Sequence, residues 1–297
     1  MRRNSERGGR IAIGVPYTWL LLFFLAPFLI VAFISFGESA LSIPPYTAPV
    51  QWGEEGGVEL HVNLANYARL VGDSLYLTAY LNSLRMAATA TLLSLLLGYP
   101  MAYAIARAAA RWRPLLLMLV ILPFWTSFLI RVYAWIGLLK GNGLVNNLLL
   151  ALGIVGEPLP LLNNAFSVGV ALVYSYLPYM ILPLYATLEK MDPALIEAAS
   201  DLGARPFRAF LQVTLPLSLP GIAAGCLLVF IPMVGEFVIP DLLGGPDTLM
   251  IGKVLWDEFF TNRDWPAAAA VAIAMLVFLV APIAVAQRYL RGAAEAP

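Results

Sequence analysis

Charge is scarce in this chain. Of its 297 residues only 12% are Asp, Glu, Lys or Arg, while 61% are hydrophobic. A soluble domain carries roughly 25% charged residues, so this composition, with a mean hydropathy of +0.80, excludes an ordinary soluble globule. Histidine and cysteine are each used once. Cys226 lies in an apolar run and has no partner in the chain for a disulfide, and His61 stands among polar residues as a solvated side chain. With no H-E-x-x-H and no paired acids inside the apolar runs, a membrane-embedded enzyme lacks its reactive groups. A nucleotide loop is missing as well. Gly252-Lys253 is followed by Val254 instead of Ser or Thr, and Asp247 stands where the upstream glycine of a P-loop belongs. No internal repeat of the kind that builds secondary transporters is visible.

What is present is apolar sequence in long blocks. Residues 11–37, 86–106, 114–130, 158–188, 209–235 and 265–287 carry no charged side chain. Each is near or above the roughly 20 residues a helix needs to cross a bilayer. They do not alternate as barrel strands do, and backbone in lipid must bond to itself, so helices are expected. The reading is an all-α integral membrane protein with six transmembrane helices. They are placed at about 15–36, 78–108, 114–139 and 166–188, from about 215 with breaks at Pro232 and Pro240, and at 266–289. The first is taken as uncleaved, because its uncharged run far exceeds the 7 to 15 residues of a signal-peptide core. Residues 144–152 are apolar but too short to span, which suggests a re-entrant or interfacial helix.

The bases lie on one side. Arg2, Arg3, Arg7 and Arg10, then Arg107, Arg111 and Arg113, then Lys190, Arg205 and Arg208, then Arg288 and Arg291 all flank the same ends of the helices. By the positive-inside rule those segments and both termini are cytoplasmic. The opposite loops hold Glu54, Glu55, Glu59, Asp73, Asp247, Asp257, Glu258 and Asp264.

Between the fourth and fifth helices lies a polar island. Asp192-Pro193 reads as an N-cap with proline in the first turn, and Gly203 as a left-handed stop. Leu195, Ala198, Ala199 and Leu202 share one face of the helix so delimited. Pro206 then opens a second short helix through Leu211, at an angle to the first. Glu197, Ala198, Ala199, Gly203, Val213, Leu215 and Pro216 stand at a spacing that resembles the EAA loop of bacterial ABC importer permeases, with Val213 in the place usually held by Ile. Residues 123–135, 177–185 and 235–245 are similar to the permeases of spermidine/putrescine importers, and with the loop the resemblance covers roughly 82–266.

The resemblance implies an ABC type I importer permease fold in a bacterial inner membrane, as one permease domain over 1–297. Within it are a first helix (15–36), a periplasmic loop (37–76), a core with five transmembrane helices (78–288) and a cytoplasmic coupling segment (192–216). It also implies a second permease chain, two copies of an ATPase subunit that bind ATP and Mg, and a periplasmic substrate-binding protein. The chain itself then needs no cofactor and no metal, catalyses nothing, and is surrounded by membrane lipid, with no nucleic acid as partner. Glu197, Ala198, Ala199, Asp201, Gly203, Arg205, Val213, Leu215 and Pro216 are the implied ATPase-coupling residues. Polyamine is the implied solute; related permeases carry ferric ion, phosphonates or opines.

Candidate pathway residues are Glu236, Trp125, Tyr174, Tyr176, Tyr179 and Asp241. Glu236 is an acid inside a helical run, and such carboxylates are usually functional. Counted at about 1.5 Å per residue it also lies roughly 30 Å from Leu215, where interfacial exposure is cheap. Both readings stand. Aromatic faces attract alkylammonium groups and also form interfacial belts; Tyr133 and Trp135 fit a belt, whereas Trp125 lies deeper. Asp241 fits a solvated loop. Arg131 opposes a purely cation-selective lining unless it pairs or snorkels outward, and Arg85 near the outer end of the second helix can snorkel or face the interior.

Overall fold

The computed structural model describes residues 13–52 and 57–294, the side chains of Trp52, Val58 and those from 281 onward excepted. Arg2, Arg3, Arg7, Arg10, Glu54 and Glu55 lie outside the described residues, and of Arg288 and Arg291 only the helical backbone is described. The chain forms two compact units: residues up to Leu77 with those from Leu255, and Thr78–Val254.

In the first unit, helix α1 (Ile13–Ile34) has no buried residue in its most apolar window, as suits a surface made for lipid or a partner. Two small hairpins follow, β1 (Glu38–Ser39) with β2 (Tyr46–Thr47) and β3 (Val50–Trp52) with β4 (Val58–Leu60). Helix α2 (Ala65–Gly72) is tied to the end of α1 by Asn66, whose amide donates to the Ser35 and Gly37 carbonyls at 3.0 Å each. A π-helical turn, Asp257–Thr261, leads to the last helix, and there Glu258 is 5% exposed. It accepts from Tyr76 Oη at 2.6 Å and from Asn262 Nδ2 at 2.9 Å, and Arg69 lies 3.6 Å away. Arg69 also reaches Asp264 at 3.4 Å, whose other oxygen accepts from the Ala267 N–H. Glu258, in the π-helical turn, and Asp264, in the short loop before the last helix, are therefore both paired. They hold α2 against the end of the hydrophobic segment, because a buried carboxylate must find donors.

The second unit contains most of α3 (Ser74–Arg107), then α4 (Arg113–Ile121), α5 (Phe128–Leu139), α6 (Leu144–Ala151), α7 (Ala165–Glu189), α8 (Ala194–Asp201), α9 (Pro206–Val234) and α10 (Val238–Leu243), with α11 (Ile251–Trp256) at its end. The last helix, α12 (Trp265–Ala294), belongs to the first unit. The core of the second unit is the antiparallel seam of α7 and α9. A β-carbon on Gly225 would stand 2.8 Å from Met180 Sδ, and one on Gly221 would stand 2.6 Å from Thr187 Oγ1. Glycines let two backbones approach where the hydrophobic effect supplies no drive between helices. Met180 is fully buried there, and Gly98 of α3 closes on it from the other side. Asn164 starts α7 with a capping box, accepting from the Phe166 and Ser167 N–H groups while Ser167 Oγ accepts from the Asn164 N–H.

Three sequence expectations change. The third helix is not continuous over 114–139: after α4 comes a 3₁₀ turn, Leu122–Trp125, and then Thr126 and Ser127 are extended with ψ of 152° and 138°. Pro123 has no N–H to donate to the preceding turn, and the Thr126 hydroxyl donates to the Pro123 carbonyl at 2.8 Å. The apolar stretch long enough to cross is Phe128–Ala151, built from α5 and α6. The fifth helix passes through Pro232 and ends at Val234; the break is Gly235–Phe237, and Pro240 sits in the first turn of α10, where it costs no hydrogen bond. The second short helix after Pro206 is the first turn of α9, which runs on through a π-helical turn at Phe210–Thr214. Five stretches, Ile13–Ile34, Ser74–Arg107, Phe128–Ala151, Ala165–Glu189 and Pro206–Val234, are long and apolar enough to cross a membrane, and Trp265–Val280 at the start of α12 is a shorter apolar one.

Candidate functional site

The polar island forms a bracket between α7 and α9. Asp192 Oδ1 accepts from the Ala194 N–H at 3.0 Å and so supplies one of the bonds that the start of α8 lacks. At the other end Gly203 adopts φ +84°, its N–H donates to the Ser200 carbonyl at 2.9 Å and the Ala204 N–H donates to Ala199 at 3.0 Å. Those two bonds are a Schellman stop, and only a residue without a β-carbon takes that φ cheaply. The chain then turns at Arg205, extended at ψ 155°, and re-enters helix at Pro206.

What this bracket buries is little. Leu195, Leu202 and Phe207 are 46%, 90% and 71% exposed. Glu197, Ala198, Asp201, Gly203, Arg205, Arg208 and Pro216 are also exposed; Ala199, Val213 and Leu215 are half-buried. Exposed apolar side chains rimmed by charges of both signs are the character of an interaction surface. At the base of α7, Arg113 pairs with Glu189 at 3.4 Å.

The second polar cluster lies at the break between α9 and α10. Glu236 is 8% exposed, so interfacial exposure does not describe it. Its Oε2 accepts from Tyr176 Oη at 2.6 Å, and its Oε1 accepts from the N–H groups of Phe237 at 3.2 Å and Val238 at 3.0 Å. The carboxylate thus joins α7 to the break and caps the start of α10. Tyr176 lies 6.0 Å from the Tyr179 ring, Tyr179 meets the edge of Phe124 at 5.1 Å, and the Arg131 guanidinium stands over Phe124 at 5.1 Å and Phe128 at 5.8 Å. Arg131 Nε is buried without a hydrogen-bond partner. A continuous run of aromatic faces therefore connects one acid to one guanidinium.

Other candidates lie elsewhere. Trp125 is 74% exposed and Tyr133 57%. Asp241 belongs to α10, not to a loop, and pairs with Lys253 at 2.9 Å. Trp135 meets Tyr174 edge-on at 5.5 Å, and both line a cavity of about 890 Å³ between α3 and α7. Arg85 lines the same cavity, which gives it an aqueous or ligand-facing position. Sequence reasoning missed the cavity, since it is made by the approach of residues in α3, α7 and the 245–248 turn. Among the described residues no group of three or more His, Cys, Asp or Glu side chains is placed to hold a metal.

Residues 90–291 match the family described as binding-protein-dependent transport system inner membrane component. The chain is similar to the spermidine/putrescine transport system permease protein PotB of Haemophilus influenzae, at 41% identity over 94% of this chain and 93% of that protein. It is also similar to PotB of Escherichia coli K12, at 41% identity over 88% of this chain and 90% of that one. Among solved structures, a chain of a bacterial alginate ABC transporter, in complex with an alginate pentasaccharide-bound periplasmic protein, superposes with a TM-score of 0.72. It does so over 99% of this chain and 98% of that chain at 19% identity, a likeness of fold.

Proposed function

Because the chain belongs to the family of binding-protein-dependent transport system inner membrane components, we propose that it forms one half of the transmembrane pathway of an ATP-driven importer of polyamines. It is a transport subunit of the inner membrane and not an enzyme. The observation that carries the solute is the 41% identity, spread over 94% of the chain, to a protein named for spermidine and putrescine. The assembly comprises a second permease, two copies of an ATPase subunit that bind ATP and Mg, and a periplasmic substrate-binding protein.

The work is divided by segment. The stretch 192–216 docks on the ATPase through Glu197, Ala198, Ala199, Asp201, Gly203 and Arg205 on the bracket, with Val213, Leu215 and Pro216 continuing into α9. Since α8 is stopped at both ends and α9 is one uninterrupted helix, a displacement of the bracket is delivered to α7 and α9, which move together because their glycine seam leaves no slack. ATP-driven closure of the partner then biases inward-facing against outward-facing arrangements. On the outer side, residues 37–76 face the periplasmic binding protein.

Along the pathway, Tyr176 and Tyr179 offer aromatic faces to an alkylammonium group, and Glu236 holds Tyr176 in place. The acid acts by positioning, since three of its acceptor sites are occupied. Trp125, Tyr174 and Asp241 are weaker candidates, being exposed, in the outer cavity and ion-paired respectively. Uptake of labelled spermidine and putrescine by a strain dependent on this chain tests the solute. Loss of uptake on deletion, restored by the chain, is the expected result. Unchanged polyamine uptake with the ATPase still co-purifying would remove the solute and keep the importer.

A further inference from the structure

The cavity at the outer ends of α3 and α7 has a charge pattern that a polycation pathway does not explain. Its volume, about 890 Å³, is in the range of ligand sites. Its walls are apolar, with Met86, Leu93 and Leu97 from α3 and Val170, Val173 and Leu177 from α7. The lining also includes polar side chains and both signs of charge, from Asn82, Arg85, Asn163 and Asp247. Neither Arg85 nor Asp247 has a side-chain hydrogen bond or an ion pair among the described residues.

Depth follows from helix geometry. Arg107 ends α3 on the basic, cytoplasmic side, and Arg85 to Ile105 rises roughly 30 Å at 1.5 Å per residue, about the thickness of the hydrocarbon layer. Arg85 therefore stands at the level of the outer-leaflet headgroups, with the apolar wall running inward beneath it. Trp135 and Tyr174 flank the same cavity, as amphipathic rings do at that level. An unpaired guanidinium repels a polyamine. It binds phosphate well, through its planar fork of donors, and the acid lining the same cavity suits an ammonium group.

We propose that this cavity binds one phospholipid of the outer leaflet bearing a zwitterionic, primary-amine headgroup. Its phosphate meets Arg85, its ammonium meets Asp247, and an acyl chain lies along Leu93, Leu97 and Val173. Tyr174 then contacts lipid and not solute. The site depends on the membrane topology and not on which solute is imported.

Native mass spectrometry tests it on the full chain, purified with its accompanying subunits from membranes containing phosphatidylethanolamine and phosphatidylglycerol. The wild type should retain one phosphatidylethanolamine in preference to phosphatidylglycerol. Arg85→Gln should lower retention of both about tenfold, or about 1.4 kcal/mol. Asp247→Asn should abolish the headgroup preference while total lipid stays near wild type. Gly169→Phe should block both lipids without disturbing the fold, since a β-carbon there meets nothing within 4 Å. A phosphatidylethanolamine with a photoreactive acyl chain should label Met86 or Leu93. Two results overturn the proposal: lipid retention and preference unchanged in all three variants, or cross-linking of Gly169→Cys to a helix of the second permease, which would make the cavity a protein interface.

Discussion

Two polar islands interrupt the apolar helices of this chain, and they dispose of their hydrogen-bonding groups in opposite ways. The bracket at 192–216 bonds its backbone to itself through Asp192 and the Gly203 stop and leaves its side chains outward, with Leu202 90% exposed. The corner at Gly235–Phe237 turns its one acid inward, where Tyr176 and two backbone N–H groups take both oxygens of Glu236. The first island is complete as backbone and incomplete as surface. The second is complete within the chain. An exposed, self-capped element is therefore open to a partner, and a buried, satisfied one is where helices are held in register.

The largest effect on transport should come from spoiling the outward island. Gly203→Trp forces a β-carbon into φ +84°, a strain of roughly 1–2 kcal/mol, and places an indole on the proposed docking face. ATP-driven uptake should fall at least about tenfold, the equivalent of roughly 1.4 kcal/mol in coupling, with membrane insertion unchanged. Glu197→Arg should lose the co-purifying ATPase. If both variants assemble and transport normally, the contrast between the islands fails at its first half.

The largest effect on stability should come from the inward island. Glu236→Ala strands two N–H groups and the Tyr176 hydroxyl, at about 1–3 kcal/mol for each buried group left unpaired. Thermal unfolding in detergent should show the loss, and Glu236→Gln should recover most of it, because an amide oxygen still accepts from the backbone. Tyr176→Phe should cost less, about 1.5–3 kcal/mol for one bond to a charged group. Polyamine uptake abolished in Glu236→Ala at unchanged stability would assign the acid to the solute and not to the corner.

Smaller still is Gly225→Ala, which brings a β-carbon to 2.8 Å from Met180 Sδ. Overpacking of this kind costs typically about 1–3 kcal/mol, at the low end here because a thioether can move. Gly169→Ala, with open space around it, should be silent in the same melt. Smallest is Lys253→Ala. Its pair with Asp241 is partly exposed, and such pairs contribute roughly 0–1 kcal/mol, so a larger loss would give α10 an ionic anchor besides Glu236.

The two islands also differ in how well they can be read from sequence. Asp192, Pro193 and Gly203 act on groups within a few residues of themselves, so a capped helix between them follows from local chemistry alone. Glu236 acts on Tyr176, which is 60 residues away, and nothing near Glu236 says whether it faces water, lipid or a hydroxyl. The same holds for Glu258 and Asp264, whose partners Tyr76 and Arg69 are 182 and 195 residues away. Prolines misled in a related way. Pro232 lies inside α9 and Pro123 lies at a true break, because a missing donor ends a helix only where no neighbouring backbone or packing compensates.

From the sequence alone came the membrane environment, the side on which the bases lie, and the helix bounded by Asp192 and Gly203. Hydropathy, charge bias and capping are sums over neighbouring residues, and neighbours are what a sequence records. Only the tertiary structure decided that Glu236 is a buried tie, that the third apolar run divides at Thr126–Ser127, and that Arg85, Tyr174 and Asp247 share one cavity. Those outcomes depend on which helices approach each other and how closely, and that distance is set by packing between residues remote along the chain.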